Sequence, residues 1–158
     1  MRSFVGIALL ALSCAAWAAP PVQLWSTATA TRPSDGWTLV YRFAGRLSPE
    51  FKKSSQPERV TIIWRYKGNN GLPTTPEREC MDALEDAVDG RVPNKGTLVL
   101  VSTGNNQRRW VYYTRSADSF VEAIERVHSE NSPTSLEFET AADPEWSFYE
   151  AFARSIRR

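Results

Sequence analysis

The residues with chemistry to offer fall into a few groups. Trp64 and Tyr66 alternate along one strand-like run and Trp110 and Tyr112 along another, with Arg65, Arg108 and Arg109 beside them. Side chains two apart in a strand share a face, so these rings can form a stacking platform for a base, a sugar or a peptide. The run "ERECMDALEDAVDG" concentrates carboxylates of the kind that hold a hard cation. In "AADPEWSFYEAF", residues 141 to 152, Asp143 and Glu145 lie next to Trp146. His128 and Cys80 complete the inventory.

Most of these have a simpler reading. His128 stands near the end of an amphipathic segment, where a favourable charge at a helix C-terminus or plain solvation accounts for it. There is no "GxSxG" elbow, and Cys80 falls on the expected apolar face of another helix, so nucleophilic catalysis has no constellation to work with. The absence of "CxxC", "HExxH" and an EF-hand loop argues against a metal site. Without "GxGxxG" or "GxxxxGK", nothing suggests a nucleotide or any other cofactor. The acidic run reads as a solvated helix face, which offers no cleft for paired-carboxylate hydrolysis.

The elements that must position these groups follow from pattern. Residues 20 to 35, "PPVQLWSTATATRPSD", show no period and read as a linker or loosely docked arm. "WTLVYRF" and "RVTIIWRY" are β-branched and aromatic runs, predicting strands at 37–43 and 59–66. A helix follows, with Thr75 as cap, Pro76 at its first position and Gly90 at its end; Cys80, Met81, Leu84 and Val88 share its apolar face. "GTLVLVST" and "RRWVYYTR" flank "GNNQ", which predicts a β-hairpin. The four apolar residues from Leu98 to Val101 ask for cover on both sheet faces.

A second amphipathic helix is expected over "SADSFVEAIERVHSE", capped by Ser116, then a short strand at 135–140 and a last helix. In that helix Asp143 reads as N-cap and Pro144 as the first helical residue, with Trp146, Tyr149, Phe152 and Ile156 recurring at intervals of three and four. From residue 59 the order is strand, helix, strand, strand, helix, strand. That is an α+β, ferredoxin-like split βαβ sandwich, with an extra N-terminal strand before it and an extra C-terminal helix after it. The last helix is the element available to cover the second sheet face. The aromatic residues therefore read as core more readily than as an open platform.

The N-terminus bears on compartment. Arg2, the apolar "FVGIALLAL" and Ala16-Trp17-Ala18 have the form of a signal peptide over residues 1–18, leaving an arm at 19–35 and a single domain at 36–158. A soluble, exported product, periplasmic in a bacterium, is expected, with lipidation at Cys14 as the competing reading. Cys14 leaves with the signal, so Cys80 has no internal disulfide partner. The chain has 19 basic and 18 acidic residues, and losing Arg2 evens them. That balance argues against nucleic acid as a partner.

"GLP" after a strand, the acidic "ALEDAV" helix, the "TGNNQRRWVYY" hairpin and the closing "EFETAADPEWSFY" together resemble the bacterial domain-of-unknown-function family 695, from about Trp37 to Phe152. The resemblance implies an α+β, ferredoxin-like domain without an established activity. That family is similar to the regulator of ribonuclease activity type B, an inhibitor of a cytoplasmic ribonuclease. An exported chain does not meet that enzyme, so the resemblance extends to fold and stops short of function.

The expected function is a non-enzymatic binding or interaction domain for a protein, a peptide or a small ligand. Its expected surface is built from Arg65, Arg109, Trp110, Tyr112, Asp143 and Trp146. Two alternatives stand beside it: a small hydrolase using Asp143 or Glu145 near the hairpin arginines, and a structural accessory domain.

Overall fold

The computed structural model describes residues 21–34, 36–92, 96–129 and 135–156; the segment 1–18 expected to be a signal peptide, with Cys14, lies outside them. The chain runs β1 (Val22–Thr31), β2 (Thr38–Leu47), β3 (Glu58–Arg65), α1 (Thr75–Arg91), β4 (Thr97–Gly104), β5 (Gln107–Thr114), α2 (Ala117–Ser129), β6 (Glu137–Ala142) and α3 (Ser147–Ile156). The strands form one six-stranded sheet in the order β1-β2-β4-β5-β3-β6. All its pairings are antiparallel. The portion β4-β5-β3-β6 is the expected split βαβ arrangement, and the protein is α+β.

The extension beyond it is larger than expected, because two strands precede the split unit. Residues read as a linker or arm form β1, which pairs with β2 along Trp25 to Thr31. Thr, Ala and Ser alternate there without a charge, so the segment has little hydrophobic period and still suits a pleated edge.

The hairpin between β4 and β5 closes through Asn105 and Asn106, both in the left-handed region with φ of 54° and 57°. Two such residues in succession match the twist of the flanking strands.

α1 starts one residue earlier than expected. Thr74 is the cap, and Glu77 reaches back to the Thr74 amide at 2.8 Å. The helix runs through Gly90 to Arg91. Met81, Leu84 and Val88 are buried, whereas Cys80 is exposed. The buried stripe is centred on those three positions, and Cys80 lies on its shoulder. His128 lies in the last turn of α2, as expected, but is buried rather than solvated, edge-on to Trp64 at 5.2 Å between ring centroids.

Each sheet face has its own core. α1 and α2 cover Val60, Ile62, Trp64, Val101, Trp110 and Tyr112. On the other side α3 covers Val99, Leu100, Val111 and Tyr113. Leu98 packs with the first cluster and Leu100 with the second, across a register shift between them. The four consecutive apolar residues thus serve both faces, and the last helix covers the second, as expected. Among the described residues, no helix is long and apolar enough to cross a membrane.

Candidate functional site

The helix layer does not extend over β1 and β2, and this leaves a cleft beside α1. Arg42 of β2 lies opposite Val101 of β4, and Val40 opposite Thr103. Val101 belongs to the core under α1 and α2, so Arg42 and Val40 point to the same side. β1 sets Thr27 opposite Arg42, and β5 sets Arg108 opposite Thr103. α1 supplies Asp82, Glu85 and Asp86 at helical spacing along one flank. The resulting cleft has a volume of about 420 Å³.

Four of its charges are already engaged with one another. Arg108 donates to Asp82 Oδ1 at 2.5 Å and to Thr103 Oγ1 at 3.0 Å. The Arg108 side chain is only 10% exposed. Arg42 donates to Glu85 Oε1, and the Trp110 indole N–H donates to Glu85 Oε2 at 2.8 Å. Both oxygens of Glu85 are therefore held by donors. Trp25 lies beside Arg42, its ring 4.9 Å from the guanidinium carbon.

Beneath this array lies Tyr112, fully buried, whose hydroxyl has no hydrogen-bond partner among the described residues. Burial, then the nearby Glu85 and Asp89 carboxylates, push its pKa far above the usual phenol range.

The residues expected to form one binding surface fall in three places. Trp110 and Tyr112, with Trp64 and Tyr66, all face α1 and α2 and are buried, so they form core and no open platform. Tyr66 donates to Gly71 O at 3.0 Å, and burial raises its pKa to about 12.

Arg65 and Arg109 share the opposite face on neighbouring strands. Arg65 grips Glu137 through two nitrogens, at 2.5 and 3.0 Å. That bond holds the Arg65 pKa up and the Glu137 pKa down. Arg109 reaches Glu139 at 2.6 Å. These are cross-strand ion pairs on an exposed surface, a modest source of binding specificity.

Asp143 and Trp146 sit at the corner between β6 and α3. The helix starts at Ser147, later than the expected Pro144, because Asp143 to Trp146 form a turn in which the Trp146 amide donates to Asp143 O at 3.0 Å. Trp146 takes φ of +56°. Asp143 still caps the helix, from further away: its carboxylate accepts from Ser147 N at 2.7 Å, Phe148 N at 3.0 Å and the Tyr113 hydroxyl at 2.6 Å. Burial raises its pKa, yet those hydrogen bonds outweigh burial and hold it below the usual carboxylate range. Trp146 is fully buried, stacked on Tyr113 at 4.1 Å between ring centroids, with its indole N–H on Gln56 O at 2.9 Å.

Arg42, and Trp25 beside it, escaped sequence reasoning, while Asp82 and Glu85 were read as part of a solvated helix face. Two signals pointed to them: a lone charge inside the strand "TLVYRF", and carboxylates at 82, 85 and 86 spaced to share one helix flank. Trp25 was hidden because its segment read as a linker.

Residues 35–153 match the family described as "Family of unknown function (DUF695)". No curated protein matches the chain.

Proposed function

The chain belongs to this family of unknown function, and from that premise we propose an exported, non-enzymatic binding domain whose ligand lies in the cleft between α1 and β2. The observation that carries the reading is the set of four charged side chains held in two pairs, Arg42 with Glu85 and Arg108 with Asp82, along a cleft of about 420 Å³. That volume falls within the usual range for small-molecule sites. Charges fixed in advance need little ordering when a ligand arrives, which favours recognition. A ligand presenting donors and acceptors along its length beside apolar groups, as a short peptide does, matches a lining that sets guanidinium, carboxylate and hydroxyl groups next to Val40 and Val101.

The hydrolase alternative gains nothing from Asp143. Its oxygens cap α3 and accept from Tyr113, and its depressed pKa is the reverse of what a general acid needs. Export rests on Arg2, the apolar run and Ala16-Trp17-Ala18. A secreted product beginning at Ala19 on N-terminal sequencing supports it, and an intact Met1 in the mature protein sinks it.

Titration of the nitrogen-15-labelled protein with a mixture of short peptides tests the cleft. Amide shifts clustered at residues 40–42, 82–86 and 101–103, and lost in the folded Arg42→Ala variant, are expected. Shifts confined to Arg65 and Arg109, or none at all, go against the cleft.

A further inference from the structure

We propose that β1 pairs edge to edge with β1 of a second copy of this chain, making a two-fold dimer with one continuous sheet. β1 is the outermost strand, and among the described residues nothing pairs with its outer edge. An open edge presents a row of unpaired N–H and C=O groups, and proteins blunt it with charge, proline, bulges or shortness. The two edges of this sheet differ in that respect. β6 is 6 residues long and carries Glu137 and Glu139. β1 is 10 residues long, and "VQLWSTATAT" holds neither a charge nor a proline. Its only register shifts fall before Trp25, so Trp25 to Thr31 offer a regular template.

A second observation concerns side chains. Among the described residues, the exposed large apolar side chains are Leu24, Trp25, Val40 and Phe148. Three of them lie on β1 and its neighbour β2, so exposed apolar surface is concentrated at the undefended edge.

The occupant follows from the strand's own sequence. When identical strands pair antiparallel with a residue on the two-fold axis, odd positions meet odd and even meet even. With Thr27 on the axis, Thr27 meets its own copy, Ser26 meets the partner's Ala28, and Trp25 meets the partner's Thr29. Threonine pairs and an aromatic ring against threonine are favourable cross-strand neighbours, and no like charges are opposed within the strand. An extended peptide of another protein also adds to such an edge, but only a second copy supplies this match from the sequence on the page.

The inference goes beyond the cleft and stands whatever the cleft binds. The axis is perpendicular to the sheet, so both clefts open on one face. Between them lies a floor of β2 and β1 from each copy, with strands about 4.8 Å apart.

Sedimentation of the purified protein over a range of concentrations tests the proposal. A monomer–dimer equilibrium is expected for the wild type. The Thr29→Lys/Thr31→Lys variant alters exposed β1 positions outside the cleft and should weaken association at least tenfold. Thr140→Lys, the same change on the β6 edge, should leave the dimer intact. Circular dichroism checks that each variant is folded. Independently, wild-type β1 amides should gain protection from hydrogen exchange as concentration rises. A wild type that stays monomeric, a dimer indifferent to the β1 lysines, a dimer broken by Thr140→Lys, or assembly beyond two copies overturns it.

Discussion

On one face of the sheet, helices of 17 and 13 residues lie over Trp64, Trp110 and Tyr112; on the other, a helix of 10 residues lies over Tyr113 and brings Trp146 and Tyr149 with it. The ring types are the same, but their polar atoms are used differently. Under α3, Trp146 donates to Gln56 O, Tyr149 to Ala44 O and Tyr113 to Asp143. Under α1 and α2, Tyr66 donates to Gly71 O and Trp110 to a carboxylate of the cleft, while the Tyr112 hydroxyl has no partner among the described residues. The larger core leaves one of its rings, Tyr112, held by apolar area alone, which is non-directional. The smaller one adds directional bonds that fix where a short helix sits. Helices of that length are marginal alone and depend on such packing.

The widest test of this difference sets Trp110→Ala against Trp146→Ala. Both remove a fully buried indole, and each loss is worth about 3–5 kcal/mol. Trp110→Ala also strips Glu85 of a donor, so it should lie at the upper end and lower stability throughout the sheet in denaturant melts. Trp146→Ala should lie at the lower end, releasing α3 before the sheet opens. Hydrogen exchange distinguishes them: amides of residues 147–156 lose protection ahead of β3 and β5 in Trp146→Ala alone. If both variants open the molecule uniformly, the two faces are one cooperative unit and the contrast fails.

This difference was only partly visible in the sequence. The split βαβ order, the hairpin and the covering role of α3 were legible because β-branched runs, Asn-rich turns and helical spacing are local signals. The four residues from Leu98 to Val101 even showed that two faces needed cover. β1 was not legible, since its stability comes from a partner strand that its own sequence does not reveal. The cleft was hidden for a related reason: Arg42 and Glu85 are 43 positions apart and meet only because the sheet extends past α1. Asp143 was read correctly as a cap but one turn too close, because the left-handed Trp146 that separates it from α3 carries no sequence mark.

Asp143 offers an intermediate effect confined to the α3 face. Asp143→Ala should cost about 1–2 kcal/mol, in the range of a lost cap. Its folded pKa is lowered, so its contribution is complete above the unfolded carboxyl value of about 3.9 and disappears as pH falls through the lower folded value. Glu77 and Glu137 are also depressed and act in the same direction. The diagnostic quantity is therefore the difference between wild type and variant. In urea melts that difference should be constant from pH 7 to about pH 5 and shrink through the acid range. A difference that grows with acidification would mean that Asp143 is held by something other than these hydrogen bonds.

The smallest effect should come from the residue beside Trp110. Arg109 and Trp110 are adjacent in β5 and point to opposite faces, one to an exposed ion pair and one to the core. Arg109 meets Glu139 with the two side chains 33% and 54% exposed. An exposed pair of this kind contributes up to about 1 kcal/mol, less as salt screens it. Arg109→Ala should therefore shift the denaturant midpoint slightly, and a double-mutant cycle with Glu139→Ala should show a coupling that fades at high salt. Moving one position along the strand changes the expected loss several-fold with no change of secondary structure. If Arg109→Ala costs as much as Trp110→Ala, the hairpin end of the α3 face is itself a packed core, and the distinction between a buried face and a charged one would have to be redrawn there.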